Sequence, residues 1–270
     1  MFRSEDKMEI LNPLFKTEDG YLYCNDFINS LKNIGIKKGD TILVHSDITV
    51  FGKLALRNRN ELLGALVDVL KQCVGKEGTI IMPTFTYSFC NGEVFDKDKS
   101  KSTVGVLTEY FRNMPGVERT IQPIFSCAVY GKQKEEYLRI GKDSFGDKSI
   151  FQILHKNNGK LLYFGADFHA CTYIHYVEQS FKVPYRYFKT FKGIIKDGNN
   201  QYEDECTFYV RDLKINPMLD VNFLKKHLMD NGYMNEEQIG YGKVLFVSAA
   251  DVYTQGRKLL QNDINSFLKK

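Results

Sequence analysis

The chain has 270 residues, 43% of them hydrophobic, and its 37 Lys and Arg against 33 Asp and Glu leave a formal net charge of +4. That is enough apolar material for a full core, which excludes a disordered or fibrous protein, and too small an excess of charge to imply nucleic acid by bulk electrostatics. No stretch approaches the ~20 continuous apolar residues of a membrane span, and "MFRSEDKMEI" carries charges where a signal peptide has its apolar region, so a cytoplasmic location without membrane insertion is expected. Six cysteines (Cys24, Cys73, Cys90, Cys127, Cys171 and Cys206) lack CxxC pairing, which argues for reduced thiols rather than a zinc knuckle or a disulfide framework.

In chain order, residues 22–34 read as a helix and "GDTILVHS" as a short buried strand entered through a Gly-Asp turn. "NELLGALVDVLKQCVG" has helical apolar spacing ending in Gly75, and "GTIIMPTFTYS" is the next strand, which completes a βαβ unit. "STVGVLTEYFRNMPGVERT" is expected to be helical, starting near Ser102 or Thr103 and stopping at Asn113–Gly116; "FSCAVYG" should be a strand. "GKLLYFGAD" then runs into a helix, "CTYIHYVEQSF". From Lys182 the pattern becomes short strands around "KDGNNQ", a hairpin-like turn, followed by a polar helix in "DVNFLKKHLMDNG". The predicted class is α/β: one domain over residues 1–270, with a central mixed, largely parallel sheet flanked by helices. A small C-terminal α+β subregion is expected, residues 181–240 forming a subdomain. Ligands of open α/β sheets collect beyond the carboxyl ends of strands, which directs attention to "HSDITVFG", "PTFTYS" and "GADFHACT".

On a helix, His175 and Glu178 share a face at i and i+3, with Thr172 and Cys171 on the same side. Such a carboxylate fixes an imidazole tautomer and supports a general base, although the same spacing arises on ordinary exposed helices. Asp167, His169, Cys171, His175 and Glu178 could be combined into a metal set, but His169 and His175 face different sides of a helix and no second ligand cluster accompanies them; no metal is expected. His155 and His227 are isolated. "HSDITVFGK" offers Ser46, Thr49 and Gly52 in a turn that could cradle a phosphate, without the spacing of a dinucleotide fingerprint or a phosphate loop. "FKVPYRYFKTFKGIIK" carries Lys182, Arg186, Lys189, Lys192 and Lys196 with no acid among them; it suits either an anionic ligand with a flat ring or a solvated face.

Six segments in order, "GDTILVHSDITVFG", "GTIIMPTFTYS", "STVGVLTEYFRNMPGVERTIQPIFSCAVYG", "DSFGDKSIFQIL", "GKLLYFGAD" and "CTYIHYVEQ", together resemble the aminoglycoside 3-N-acetyltransferase family of acyl-coenzyme A dependent N-acyltransferases. The resemblance implies that His175 is the general base, that Glu178 orients it and that Thr172 lines the site. It also implies coenzyme A contacts from His45, Ser46, Asp47 and Gly52, from Thr84, and from Phe125 and Ser126. The co-substrate implied is a coenzyme A thioester, acetyl or longer. Where the family usually reads Arg-Ser-x-His-Pro, this chain has Arg119-Thr120-Ile121-Gln122-Pro123, so Gln122 replaces a histidine.

The family it resembles includes acyltransferases for surface-polysaccharide sugars, so the resemblance implies a nucleotide-diphosphate-linked amino-deoxyhexose as acceptor, and the basic segment favours it, with Arg186 and Lys189 on the pyrophosphate. If those cations face solvent, the acceptor pocket lies elsewhere, for example at Tyr87 and Asp167. An aminoglycoside acceptor, giving antibiotic resistance, is the alternative. A non-catalytic coenzyme A-binding member is a second alternative, against which the intact Thr172, His175 and Glu178 set speaks. The oligomeric state is left open, a homo-oligomer included.

Overall fold

A computed structural model describes residues 12–269 except Arg57; the charged N-terminal decapeptide discussed above lies outside the described residues. Seven strands form the main sheet, in the spatial order Met234–Ile239, Gly242–Ser248, Lys160–Phe164, Thr41–Ser46, Thr79–Pro83, Cys127–Gly131, Glu118–Arg119. Thr41–Ser46 runs parallel to both its neighbours, and the other pairings are antiparallel. The sheet is therefore mixed, with its parallel character confined to the three central strands.

Period-two alternation divides the core. Ile42, Val44, Ile80, Met82, Leu162 and Phe164 face one apolar layer with Phe27, Leu31, Leu66, Leu70 and Phe111; Leu43, Ile81, Leu161 and Tyr163 face the other with Phe151, Val177, Leu224 and Leu260. Helices Cys24–Asn33, Arg59–Val74 and Val106–Arg112 cover the first face, and Ile150–Lys156, Ile174–Phe181, Asn222–Asp230 and Ala249–Asn262 the second.

Three expectations change. The helix expected over 102–120 is only Val106–Arg112: Ser102 and Thr103 do not cap it, because Thr103 hydrogen-bonds Phe85 and the Ser102 N–H donates to Glu109. The segment after Lys182 is one long hairpin, Arg186–Asp197 with Asn200–Arg211, and it joins Phe95–Asp96 in a separate three-stranded sheet. A subdomain over 181–240 would also cut across Met234–Ile239, which pairs into the main sheet, so the separate layer is the hairpin alone.

Candidate active site

The three parallel strands end together at Ser46, Pro83 and Phe164, and the segments beyond them enclose a cavity of about 370 Å³ whose lining includes His45, Ser46, Tyr87, Thr172 and His175. Gly165 makes this convergence feasible: at φ +80° it passes the Asp47 carbonyl so closely that a Cβ would sit 2.1 Å from the oxygen. The second crossing then forms a short 3-10 turn, Phe168–Ala170, before helix Ile174–Phe181 begins. Cys171 and Thr172 consequently precede the helix rather than share its face, yet the turn still brings both to the cavity wall.

His175 Nδ1 lies 2.7 Å from Glu178 Oε2, and the Glu178 side chain is fully buried. Burial opposes the Glu178 charge, but the His175 hydrogen bond and the charge of Arg186 outweigh it and hold the carboxyl below its usual range. An ionised carboxylate can only accept, so Nδ1–H donates to it and Nε2 carries the free lone pair. Burial lowers the basicity of His175, more than the Glu178 hydrogen bond raises it, and Arg186 lowers it further. The imidazole is thus neutral at physiological pH and able to accept a proton.

A second cleft of about 560 Å³ shares Tyr87, His175 and Leu219 with the first and is otherwise walled by the hairpin, through Lys189, Phe191 and Phe208, and by Arg211 and Leu213. Tyr87 stands at the junction with φ 56°, a left-handed conformation uncommon for a bulky residue, held by edge contacts of its ring with Phe85 and Phe125. No carboxylate lines either cleft among the described residues. Arg211 and Leu219 line the clefts without any local sequence signal, and His169, considered above only as a metal ligand, lines the first cavity.

Several candidate residues do not reach the clefts. Thr84 and Ser126 are fully buried, and their oxygens accept from Arg119: Nε donates to Thr84 Oγ1 (3.1 Å) and Ser126 Oγ (3.0 Å), Nη2 to the Thr84 carbonyl (2.5 Å). The same guanidinium holds the carbonyls of Lys97 and Ser100, so these polar groups are internally satisfied, and Thr84 and Ser126 line neither cleft. Phe125 is buried among Phe85, Tyr87, Phe145 and Phe208. Gly52 presses on the Lys16 carbonyl, where a Cβ would lie at 2.8 Å, and therefore cradles chain rather than ligand. Asp47 and Asp167 each cap a 3-10 turn, accepting from Thr49 N and His169 N, and Asp167 also pairs with His169 and Lys225. Neither aspartate lines a cleft. Arg186 does line the second cleft, but its Nε is 2.8 Å from Glu178 Oε2, so its charge is already matched from within.

His45 lies on the cavity wall, stacked on Tyr163 at 5.4 Å, and burial lowers it to about 4, so it is neutral. Gln122 is buried and organises its own loop: Oε1 accepts from the Ile124 and Phe125 amides and Nε2 donates to Ser144. Burial pushes the Cys171 thiol up to about 11, which disfavours the thiolate a covalent acyl relay would need. Among the described residues no three His, Cys, Asp or Glu side chains gather as a metal site, and no helix is long and apolar enough to cross a membrane.

The fold resembles solved aminoglycoside acetyltransferases. AAC(3)-Xa superposes with a TM-score of 0.79 at 19% identity, covering 90% of this chain and 94% of that one; AAC-IIIb, solved as a binary complex with CoASH, gives 0.76 at 21%, covering 88% and 96%. In sequence, the SPbeta prophage-derived aminoglycoside N(3')-acetyltransferase-like protein YokD of Bacillus subtilis (strain 168) is 28% identical over 180 residues, 58% of this chain and 64% of that protein. Aminoglycoside N(3)-acetyltransferase IV of Salmonella sp is 29% identical over 164 residues, 59% and 60%. The chain thus spans just under two thirds of the curated relatives it matches. The profile of the aminoglycoside 3-N-acetyltransferase family matches residues 43–261, from the strand bearing His45 through the His175 helix to the last helix, and with that span the chain belongs to this family.

Proposed function

We propose that this chain transfers an acyl group from acyl-coenzyme A to the amine of an amino-sugar acceptor, and that aminoglycosides are its first acceptor class. The observation that carries the reading is the neutral His175 at the shared edge of two clefts, backed by a buried ionised Glu178. Two clefts admit two substrates, and a base between them serves a direct transfer. The acceptor reacts as its free amine: its nitrogen attacks the thioester carbonyl, the new C–N bond pushes the carbonyl pair onto oxygen, His175 Nε2 takes the proton that this nitrogen sheds, and collapse of the oxyanion breaks the C–S bond. The released thiolate recovers the proton from the imidazolium that Glu178 stabilises. The thioester is itself activated, so His175 and Glu178 supply the proton handling this route requires.

The aminoglycoside assignment rests on the family and on relatives named for that activity. One observation favours a second acceptor, a nucleotide-diphosphate-linked amino sugar: Lys189 and Arg211 line the second cleft with Tyr187, Phe191 and Phe208, where a polycation would meet repulsion and a pyrophosphate with a flat base would find charge and ring contacts. The test is thiol release from acetyl-coenzyme A in the presence of sisomicin, apramycin and a panel of uridine- and thymidine-diphosphate amino sugars. Release with the aminoglycosides supports the first acceptor, release confined to the nucleotide-linked sugars replaces it with the second, and no release with either class overturns the reading.

A further inference from the structure

Arg186 stands at the start of the hairpin strand Arg186–Asp197 and is the one cation within ion-pair distance of the buried Glu178 among the described residues. Its Nε meets Oε2, the same oxygen that His175 Nδ1 contacts, at 2.8 Å and 2.7 Å respectively. Its Nη1 donates to the Tyr209 carbonyl across the hairpin at 3.3 Å, and Tyr209 Oη donates to Val183 at 2.7 Å, which locks the guanidinium between the hairpin and the end of the helix. The Arg186 side chain is 8% exposed and that of Glu178 0%, so the attraction between them is little screened by solvent or salt.

We propose that Arg186 is a positioning residue for the base: by pairing with the carboxylate oxygen that anchors His175, it keeps Glu178 fixed as the acceptor of Nδ1–H and holds the basicity of the imidazole down, so that Nε2 remains the reactive atom and the proton it takes is released to the departing thiolate. This rests on His175 being the base. Without a fixed cation, the buried carboxylate 2.7 Å from Nδ1 is opposed by no positive charge, and the His175–Glu178 pair holds its proton to higher pH instead of releasing it to the thiolate. The other groups facing the pair do not substitute for it. Tyr185 and Tyr209, beside Glu178, are both held protonated by burial, and the Cys171 thiol is held protonated likewise; His45 is neutral across the cavity. Lys189 and Arg211 line the cleft beyond His175 without an ion pair to Glu178. The pairing also joins the acceptor-side hairpin to the base, so the strand that walls the second cleft is registered on the catalytic helix.

The direction of the effect on basicity follows from the charge. Arg186 lowers His175, so its removal raises the pH at which the imidazole loses its proton. Arg186→Gln should move the acid limb of kcat/KM to higher pH and lower kcat by ~10–100-fold, with the KM of either acceptor changed by less than about threefold. Arg186→Lys keeps the charge and should restore the limb while recovering only part of kcat. The imidazole resonances of His175, titrated by NMR in the protein without substrate, give a readout that needs no turnover and so separates failure of this proposal from failure of the acyltransferase reading. An upward displacement in Arg186→Gln, reversed in Arg186→Lys, supports the proposal. An unmoved His175 titration in a folded Arg186→Gln variant overturns it, as would a rise in acceptor KM with an unchanged limb, which would return Arg186 to acceptor binding. Should Arg186→Gln fail to fold, the Lys variant decides: a displaced titration in it, with the charge present, would equally overturn the proposal.

Discussion

The cavity under the strand ends is walled largely by the last residues of three paired strands and the segments that follow them, whereas the adjoining cleft is walled by one hairpin and the 211–219 segment. The first wall is fixed by ladder hydrogen bonds on both sides of Thr41–Ser46 and by two apolar layers, and its lining includes no Lys, Arg, Asp or Glu. The second carries Lys189 and Arg211, and its lining includes the exposed Leu213 and Tyr187. Under the proposed function the co-substrate is assigned to the strand-end wall and the acceptor to the hairpin wall, because loops and hairpins on a rigid scaffold commonly carry specificity. His175, at the seam, belongs to both.

The comparison breaks most decisively at the seam. His175→Asn should lower turnover by about 10²–10⁴-fold with either acceptor, while coenzyme A affinity measured by calorimetry stays within a few fold. Near-normal turnover at neutral pH would remove the base from the scheme. Glu178→Gln comes next, with a loss of about 10–100-fold in kcat, because the amide retains a hydrogen bond to the ring but not the charge that supports an imidazolium. It also strands the buried Arg186, so thermal melting should show a destabilisation of roughly 3–5 kcal/mol.

Charge reversal in the second cleft sharpens the contrast between the walls. The double variant Lys189→Glu with Arg211→Glu should shift the ratio of kcat/KM, aminoglycoside over nucleotide-linked sugar, by ~10-fold or more toward the polycation, since one charge-assisted contact is worth roughly 1.5 kcal/mol. An unchanged ratio would show that the acceptor does not bind there. The smallest effect is expected in the first cavity: Cys171→Ala should keep activity within about threefold, with intersecting initial-rate plots of a ternary complex. An acylated Cys171 trapped with acyl-coenzyme A alone would reverse that expectation.

The rigid wall was legible in sequence and the adaptable one was not, for a physical reason. "TILVHS", "TIIMP" and "KLLYF" are apolar runs broken by polar residues, and a parallel sheet gathers such breaks at one end, so His45, Ser46, Tyr87, Thr172 and His175 were placed near one another without a structure. Long-range pairings leave no such local mark. Thr84 and Ser126 look like ligand contacts at strand ends until Arg119 claims them, and Arg186 looks free until the left-handed turn at Lys182 folds it back on Glu178. The hairpin's alternating lysines and aromatics were read as short strands because one edge of it meets only the two residues Phe95–Asp96. The last two strands and the last helix, Ala249–Asn262, complete the sheet and its cover without a motif to announce them.

Arg119 has one more consequence, and it concerns how the segment between Lys97 and Thr103 breathes. That segment has no helix or long strand, and by appearance it should exchange its amide hydrogens quickly. Arg119 nevertheless ties its carbonyls at Lys97 and Ser100 to the strand end at Thr84, while the Ser100 and Thr103 amides donate to Asp96 and Phe85. Opening it would strand a guanidinium held by carbonyl and hydroxyl oxygens and by the face of Phe95. Deuterium uptake at Ser100 and Thr103 should therefore follow the slow, globally unfolding class of amides, so that this irregular segment behaves as part of the core.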